Sequence, residues 1–115
     1  MVSDASRFRR CNRLNKPAEF QTLFASGKRT GNRELLFISR QNNTDHARLG
    51  LAISKKNVPL AVNRNRLKRL IRESFRLHQQ QLKGMDVVVL AKKQISNAND
   101  RALFGALEKH WNKLT

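Results

Sequence analysis

From Asn63 to Arg76 the chain reads Asn-Arg-Asn-Arg-Leu-Lys-Arg-Leu-Ile-Arg-Glu-Ser-Phe-Arg, with six basic side chains against one acid. Guanidiniums on successive helical turns can each fork onto phosphate oxygens, and Asn63 and Asn65 add donors and acceptors for a ribose 2′-OH or a base edge. A merely solvated helix face would carry mixed signs and Glu to Lys pairs four residues apart. Nearly unopposed like charges repel until phosphates neutralise them, so the pattern points to a polyanion. A second feature is the pair Phe20 and Phe24, one helical turn apart, together with a strand whose one face holds only Gly50, Ala52 and Ser54 beyond Arg48. A face so bare of bulk lets a ligand backbone approach a sheet closely. On the residue pattern alone the phenylalanine pair reads as core.

Catalysis by protein side chains finds no support in the residue pattern. There is no His-Glu-x-x-His helix, no glycine-rich phosphate loop and no strand-turn-helix serine elbow. Asp4, Glu19, Glu34, Asp45, Glu73, Asp86, Asp100 and Glu108 are too scattered to gather around a metal pair. His46, His78 and His110 fall on three different elements and read as a turn residue and two imidazoles at helix surfaces or core edges.

These residues need a frame to hold them. Val2 to Asn15 carries Arg7, Arg9, Arg10 and Arg13 with little apolar content, and residues 1–14 are expected to form a flexible basic arm ahead of one domain over 15–115. Asn15 as N-cap, Pro17 in the first turn and Phe20, Leu23 and Phe24 at helical spacing predict a short helix that Gly27 closes. Leu35 to Arg40 alternates as a strand. After the polar turn Gln41 to His46, a cleaner alternation puts Ala47, Leu49, Leu51 and Ile53 on one face and Arg48, Gly50, Ala52 and Ser54 on the other. From about Leu60 the period becomes helical, with Leu67, Leu70, Ile71, Ser74, Phe75 and His78 on one stripe and Arg64, Lys68, Arg72 and Arg76 on another. Met85 to Lys92 reads as a buried strand. A last helix starts near Asn97 or Asn99 and turns Leu103, Phe104, Leu107, Trp111 and Leu114 inward, with Gly105 weakening it. The expectation is an α+β sandwich in the order α-β-β-α-β-α, helices packed on a small sheet, with a crossover between the last two strands whose ordinary hand would be right.

Composition agrees with that reading. The 115 residues suit one domain, and 39% hydrophobic residues suit one modest core. The 24 Lys and Arg against 8 Asp and Glu give a formal charge of +16, which favours nucleic acid as partner. The longest apolar run, Val87 to Ala91, is far short of the roughly 20 residues of a membrane span. Cys11 is alone, and Met1 to Arg10 lacks the apolar stretch of a secretory signal, so a cytoplasmic location is expected.

The arginine-rich block closely resembles the signature of the bacterial ribonuclease P protein subunit. Three further blocks agree in order: Arg13-Leu14 with Glu19-Phe20 and Leu23-Phe24, Gly50-Leu51-Ala52-Ile53-Ser54-Lys55-Lys56, and Asp86-Val87-Val88-Val89-Leu90-Ala91-Lys92. The resemblance implies a fold similar to a ribosomal-protein domain, with an unusual left-handed crossover around the long helix. It also implies a division of labour in which an RNA subunit hydrolyses the phosphodiester and the small protein assists, inactive alone and binding no cofactor itself. Magnesium in the holoenzyme is then held mainly by RNA. Arg64, Asn65, Arg66, Lys68, Arg69, Arg72 and Arg76 are expected to contact the RNA subunit. Arg13, Phe20, Phe24, Phe37, Ser54, Lys55 and Lys56 are expected to bind the single-stranded 5′ leader of precursor tRNA, while Leu23, Phe75, Phe104 and Trp111 are core. The chain departs from the family in having no Tyr, with Ile38 near the usual aromatic of the first strand. Val58-Pro59-Leu60 also replaces a glycine-containing approach to the long helix. A ribosomal or other structural RNA-binding protein would share charge, size and fold but lack the substrate cleft. A DNA-binding regulator is disfavoured by the flanking strands and the missing dimerisation seam.

Overall fold

The computed structural model describes residues 13–14, 16–93, 95 and 99–114. Helix α1 (Pro17–Ser26) is followed by strands β1 (Lys28–Gly31), β2 (Leu35–Gln41) and β3 (Arg48–Ala52). Then come the long helix α2 (Ala61–His78), strand β4 (Met85–Ala91) and helix α3 (Asp100–Leu114). The order expected from sequence is present with one added strand. β1 is short and polar, carries no alternation, and pairs antiparallel with β2 at the sheet edge. Asn32 makes its turn, accepting the N–H groups of Glu34 and Leu35 on Oδ1 at 2.9 Å.

The sheet order is β1-β2-β4-β3, so β4 lies between β2 and β3, which precede it in sequence. β4 is antiparallel to β2 and parallel to β3. Its sequence dictates that place, because a strand apolar on both faces must be covered on both. On one face Leu35, Phe37, Leu49, Val87 and Val89 pack against Leu67, Ile71 and Phe75 of α2 and Leu103, Leu107 and Trp111 of α3. Trp111 sits edge-on to Phe37 and Phe75, and its indole N–H donates to Ser74 Oγ at 2.8 Å. Phe104, expected in this core, is only half-buried.

Phe37 is corrected by this arrangement. It is fully buried between Trp111 and the stacked ring of His110, on the face opposite α1. The strand period of two sends Phe37 to the α2–α3 side whenever Ile38 goes to the α1 side. Phe37 is therefore core, not a leader contact.

The helix ends also differ from expectation. Lys16, not Asn15, is the N-cap of α1, with no side-chain cap, and Asn15 lies outside the described residues. Asn99 begins α3, its Oδ1 accepting the Ala102 N–H at 2.8 Å. Gly84, at φ +80°, turns the chain into β4. The expected basic arm, apart from Arg13 and Leu14, lies outside the described residues. Those two are fixed: Leu14 is buried, its N–H donates to Leu49 O at 2.9 Å, and Arg13 bridges Leu49 in parallel register along the outer edge of β3.

Candidate RNA interface

The α1 face of the sheet is organised in three rows across β2, β4 and β3. They are Leu36–Leu90–Ala52, Ile38–Val88–Gly50 and Arg40–Asp86–Arg48. α1 covers the middle row: Ile38 and Val88 are fully buried with Leu23 and Leu14, and Phe20 packs against the same cluster. Gly50 is the reason the helix can lie so close. A Cβ there would stand 2.9 Å from Phe20 Cζ and 3.1 Å from Leu14 Cβ, well inside the usual carbon contact of about 3.5 to 4.0 Å. The bare strand face read from the sequence is thus partly filled by this protein's own Phe20. What stays open is the row above, where Leu36, Leu90 and Ala52 are only half-buried. Ile38, near the position of the family's strand aromatic, lies beneath α1 and presents no surface for stacking.

Phe20 is half-buried and Phe24 is 39% exposed, their ring centres 6.4 Å apart, so the pair forms an apolar ridge on the helix, Phe20 resting against the core cluster and Phe24 beyond it. At the far end of β3, Ser54 Oγ accepts the Asn57 N–H at 3.2 Å, and Asn57 Nδ2 donates to Ala91 O at 2.7 Å. That pins the turn carrying Lys55 and Lys56, both exposed, beside the open row.

The basic helix is divided by its neighbours. Arg64 turns back on the helix entry, donating from Nη1 to Val58 O at 2.9 Å and Pro59 O at 2.8 Å, and so braces the Val58-Pro59-Leu60 approach. Arg66 pairs with Asp100 of α3 at 3.3 Å, and Arg76 pairs with Glu73 on its own helix. Both pairs are largely solvent-exposed, hence weak and readily exchanged for phosphate. The hydrogen bond from Arg76 holds the Glu73 carboxyl below its usual range. Lys68, Arg69 and Arg72 make no ion pair among the described residues. With Asn65 they line one shallow groove along α2. Lys68 and Arg72 also line a second groove, of about 320 Å³, whose opposite wall is Arg13, Leu14 and Phe20 over Leu49 and Leu51.

The structure therefore joins the two sets of residues that the sequence kept apart, around the outer edge of β3. Sequence reasoning missed Leu36 and Leu90 as half-exposed floor, because apolar residues in strand patterns read as core. It also missed an ion network: Arg48 donates from Nε and Nη2 to Asp86 at 2.8 and 2.7 Å and from Nη1 to Glu19 Oε2 at 2.5 Å. An arginine alternating onto the same strand face as small residues was the available signal. The described residues hold no group of three His, Cys, Asp or Glu that could bind a metal ion.

A strongly basic helix, an aromatic ridge and an open apolar floor on a four-stranded sheet define a small α+β protein whose surface suits a phosphodiester chain. The ribonuclease P family model matches residues 8–115. The ribonuclease P protein component of Methylococcus capsulatus is 47% identical over 108 residues, 94% of this chain and 84% of that one. The component of Vibrio cholerae is 46% identical, covering 94% and 92%. Among solved structures, the RNase P protein of Staphylococcus aureus superposes with a TM-score of 0.82 at 34% identity, over 90% of this chain and 94% of that one. The Thermotoga maritima protein gives 0.78 at 29% identity, over 88% and 96%. The chain belongs to the ribonuclease P protein family, the protein components of a tRNA-processing ribonuclease.

Proposed function

We propose that this chain binds the ribonuclease P RNA through α2 and guides the single-stranded 5′ leader of precursor tRNA across the open half of the sheet, while the RNA performs the hydrolysis. The observation that carries this reading is the groove at the β3 edge, where Lys68 and Arg72, without ion pairs among the described residues, face Phe20 and Arg13. Cations on one wall take phosphates, and an aromatic ring on the other takes a base face without regard to sequence. Leu36, Leu90 and Ala52 supply the floor, Phe24 extends the ridge, and Ser54, Lys55 and Lys56 close the end.

The protein is a binding and orienting partner, inactive alone. Glu19 and Asp86 are both committed to Arg48 and Glu73 to Arg76, which makes them poor ligands for magnesium, and we assign that ion to the RNA. No described helix is long and apolar enough to cross a membrane, and a cytoplasmic location fits an enzyme acting on new transcripts. DNA is not an expected partner.

The salt dependence of binding tests the reading. Deleting a cation that neutralises one phosphate should flatten the plot of log affinity against log salt by about 0.7 to 0.9. Lys68→Ala with Arg72→Ala should weaken binding to ribonuclease P RNA and flatten the slope by nearly twice that amount. Affinity and slope both unchanged after removing Lys68, Arg69 and Arg72 would refute the assignment of α2 to RNA.

A further inference from the structure

We propose that Glu19 is a positioning residue for the leader. Through Arg48 and Asp86 it fixes how α1 lies over the sheet, and so where the ring of Phe20 stands above Gly50. The inference rests on the leader-binding reading above.

Apart from the packing of Phe20 itself, little else holds the start of α1. Leu23 is the buried residue of the helix, and its N-cap offers no side-chain hydrogen bond. Against this, Asp86 is nearly buried and accepts three hydrogen bonds: Arg48 Nε and Asn42 Nδ2 on Oδ1, each at 2.8 Å, and Arg48 Nη2 on Oδ2 at 2.7 Å. A planar guanidinium gripped by Nε and Nη2 has its remaining nitrogen aimed in one direction. That nitrogen, Nη1, points at Glu19, in the first turn of α1.

The network thus carries the placement of β3 and β4 to the residue next to Phe20. Glu19 and Arg48 are each about a quarter exposed, at 24% and 26%, so the pair contributes modestly to stability. Its directional constraint is the larger effect. With Glu19 released, α1 keeps Leu23 in place and can pivot at its first turn, carrying Phe20 away from the groove wall it shares with Lys68 and Arg72.

The test uses the holoenzyme reconstituted with ribonuclease P RNA, and compares affinity for precursor tRNA bearing a leader of several nucleotides with affinity for leaderless tRNA. Glu19→Ala should weaken leader-dependent binding by about 3- to 10-fold, in the lower part of the range for coupling between adjacent groups. It should leave leaderless tRNA and RNA-subunit binding unchanged. Glu19→Gln, which can still accept from Arg48, should restore most of the loss. Because Glu19 acts through Phe20, Glu19→Ala combined with Phe20→Ala should be no worse than Phe20→Ala alone. Losses that multiply, or that fall equally on leaderless tRNA, overturn the inference. If Phe20→Ala weakens leader binding and Glu19→Ala does not, the positioning role fails and the leader reading stands. If Phe20→Ala itself has no leader-dependent effect, both fall together.

Discussion

Adding one methyl group at Gly50 perturbs the interface where Phe20 of α1 lies close over the sheet. The new Cβ of Gly50→Ala would lie 2.9 and 3.0 Å from Phe20 Cζ and Cε1 and 3.1 Å from Leu14 Cβ. Contacts between carbons prefer about 3.5 to 4.0 Å, so something must move by roughly half an ångström or more. Leu14 is held by its hydrogen bond to Leu49, whereas the half-buried Phe20 ring can swing outward. Overpacking of this kind costs about 1 to 3 kcal/mol. The loss of a strand glycine returns about 0.5 to 1 kcal/mol of backbone entropy. The net destabilisation is then about 0 to 2.5 kcal/mol, a fall in melting temperature of up to about 10 °C for a domain of this size. The displaced ring forfeits stacking of about 1 to 3 kcal/mol per base. That corresponds to about 5- to 150-fold in affinity for precursor tRNA with a leader, and no change for leaderless tRNA. Gly105→Ala is the control. Its Cβ meets nothing within 4 Å on helix α3, and it should stabilise the fold by about 1 kcal/mol without altering either affinity. Melting curves beside equilibrium binding to the two substrates decide the matter. A Gly50→Ala protein that melts lower yet binds the leader as tightly as wild type would refute the placement of Phe20 in the leader groove.

Two further outcomes follow from the other face of the sheet. Phe37→Ala should lose about 3 to 5 kcal/mol of stability in urea titrations. While still folded it should keep the full difference in affinity between leader and leaderless substrates, and a selective loss of leader binding would contradict its assignment to the core. His110 is buried against Phe37, its Nδ1 has no hydrogen-bond partner among the described residues, and burial, helped by the charge of Lys113, lowers its pKa from 6.5. The unfolded chain therefore binds the proton more readily, and the stability that neutral His110 supplies is present above pH 6.5 and lost as pH falls below it. His110→Phe should flatten the decline of melting temperature between about pH 7 and 5; an unchanged pH profile would show that His110 is not the group responsible.

The elements were legible in the sequence because their signals are local. The helical stripe from Leu67 to Phe75, the alternation from Ala47 to Ser54 and the apolar run of β4 each record which face of one segment must leave water. The basic helix was legible for the same reason: six cations with one acid need no fold to declare a polyanionic partner. β1 was not legible, since four polar edge residues bury too little to leave a pattern.

Which side of the sheet each residue faces, and beside what, was decided only by tertiary structure. Phe20 and Phe37 are equally aromatic in sequence, yet one edges a groove and the other is sealed beneath α3, because strand order and the position of α1 set which face stays open. Lys68 and Arg72 share a groove with Phe20 although they lie far along the chain from it, and Glu19 and Asp86 meet on a single guanidinium. Such juxtapositions depend on packing between distant segments, which no local period of charge or hydrophobicity records. The sequence by itself determined that the chain is a basic α+β domain with one strongly cationic helix; insertion of β4 between β2 and β3 decided where the groove lies and which residues line it.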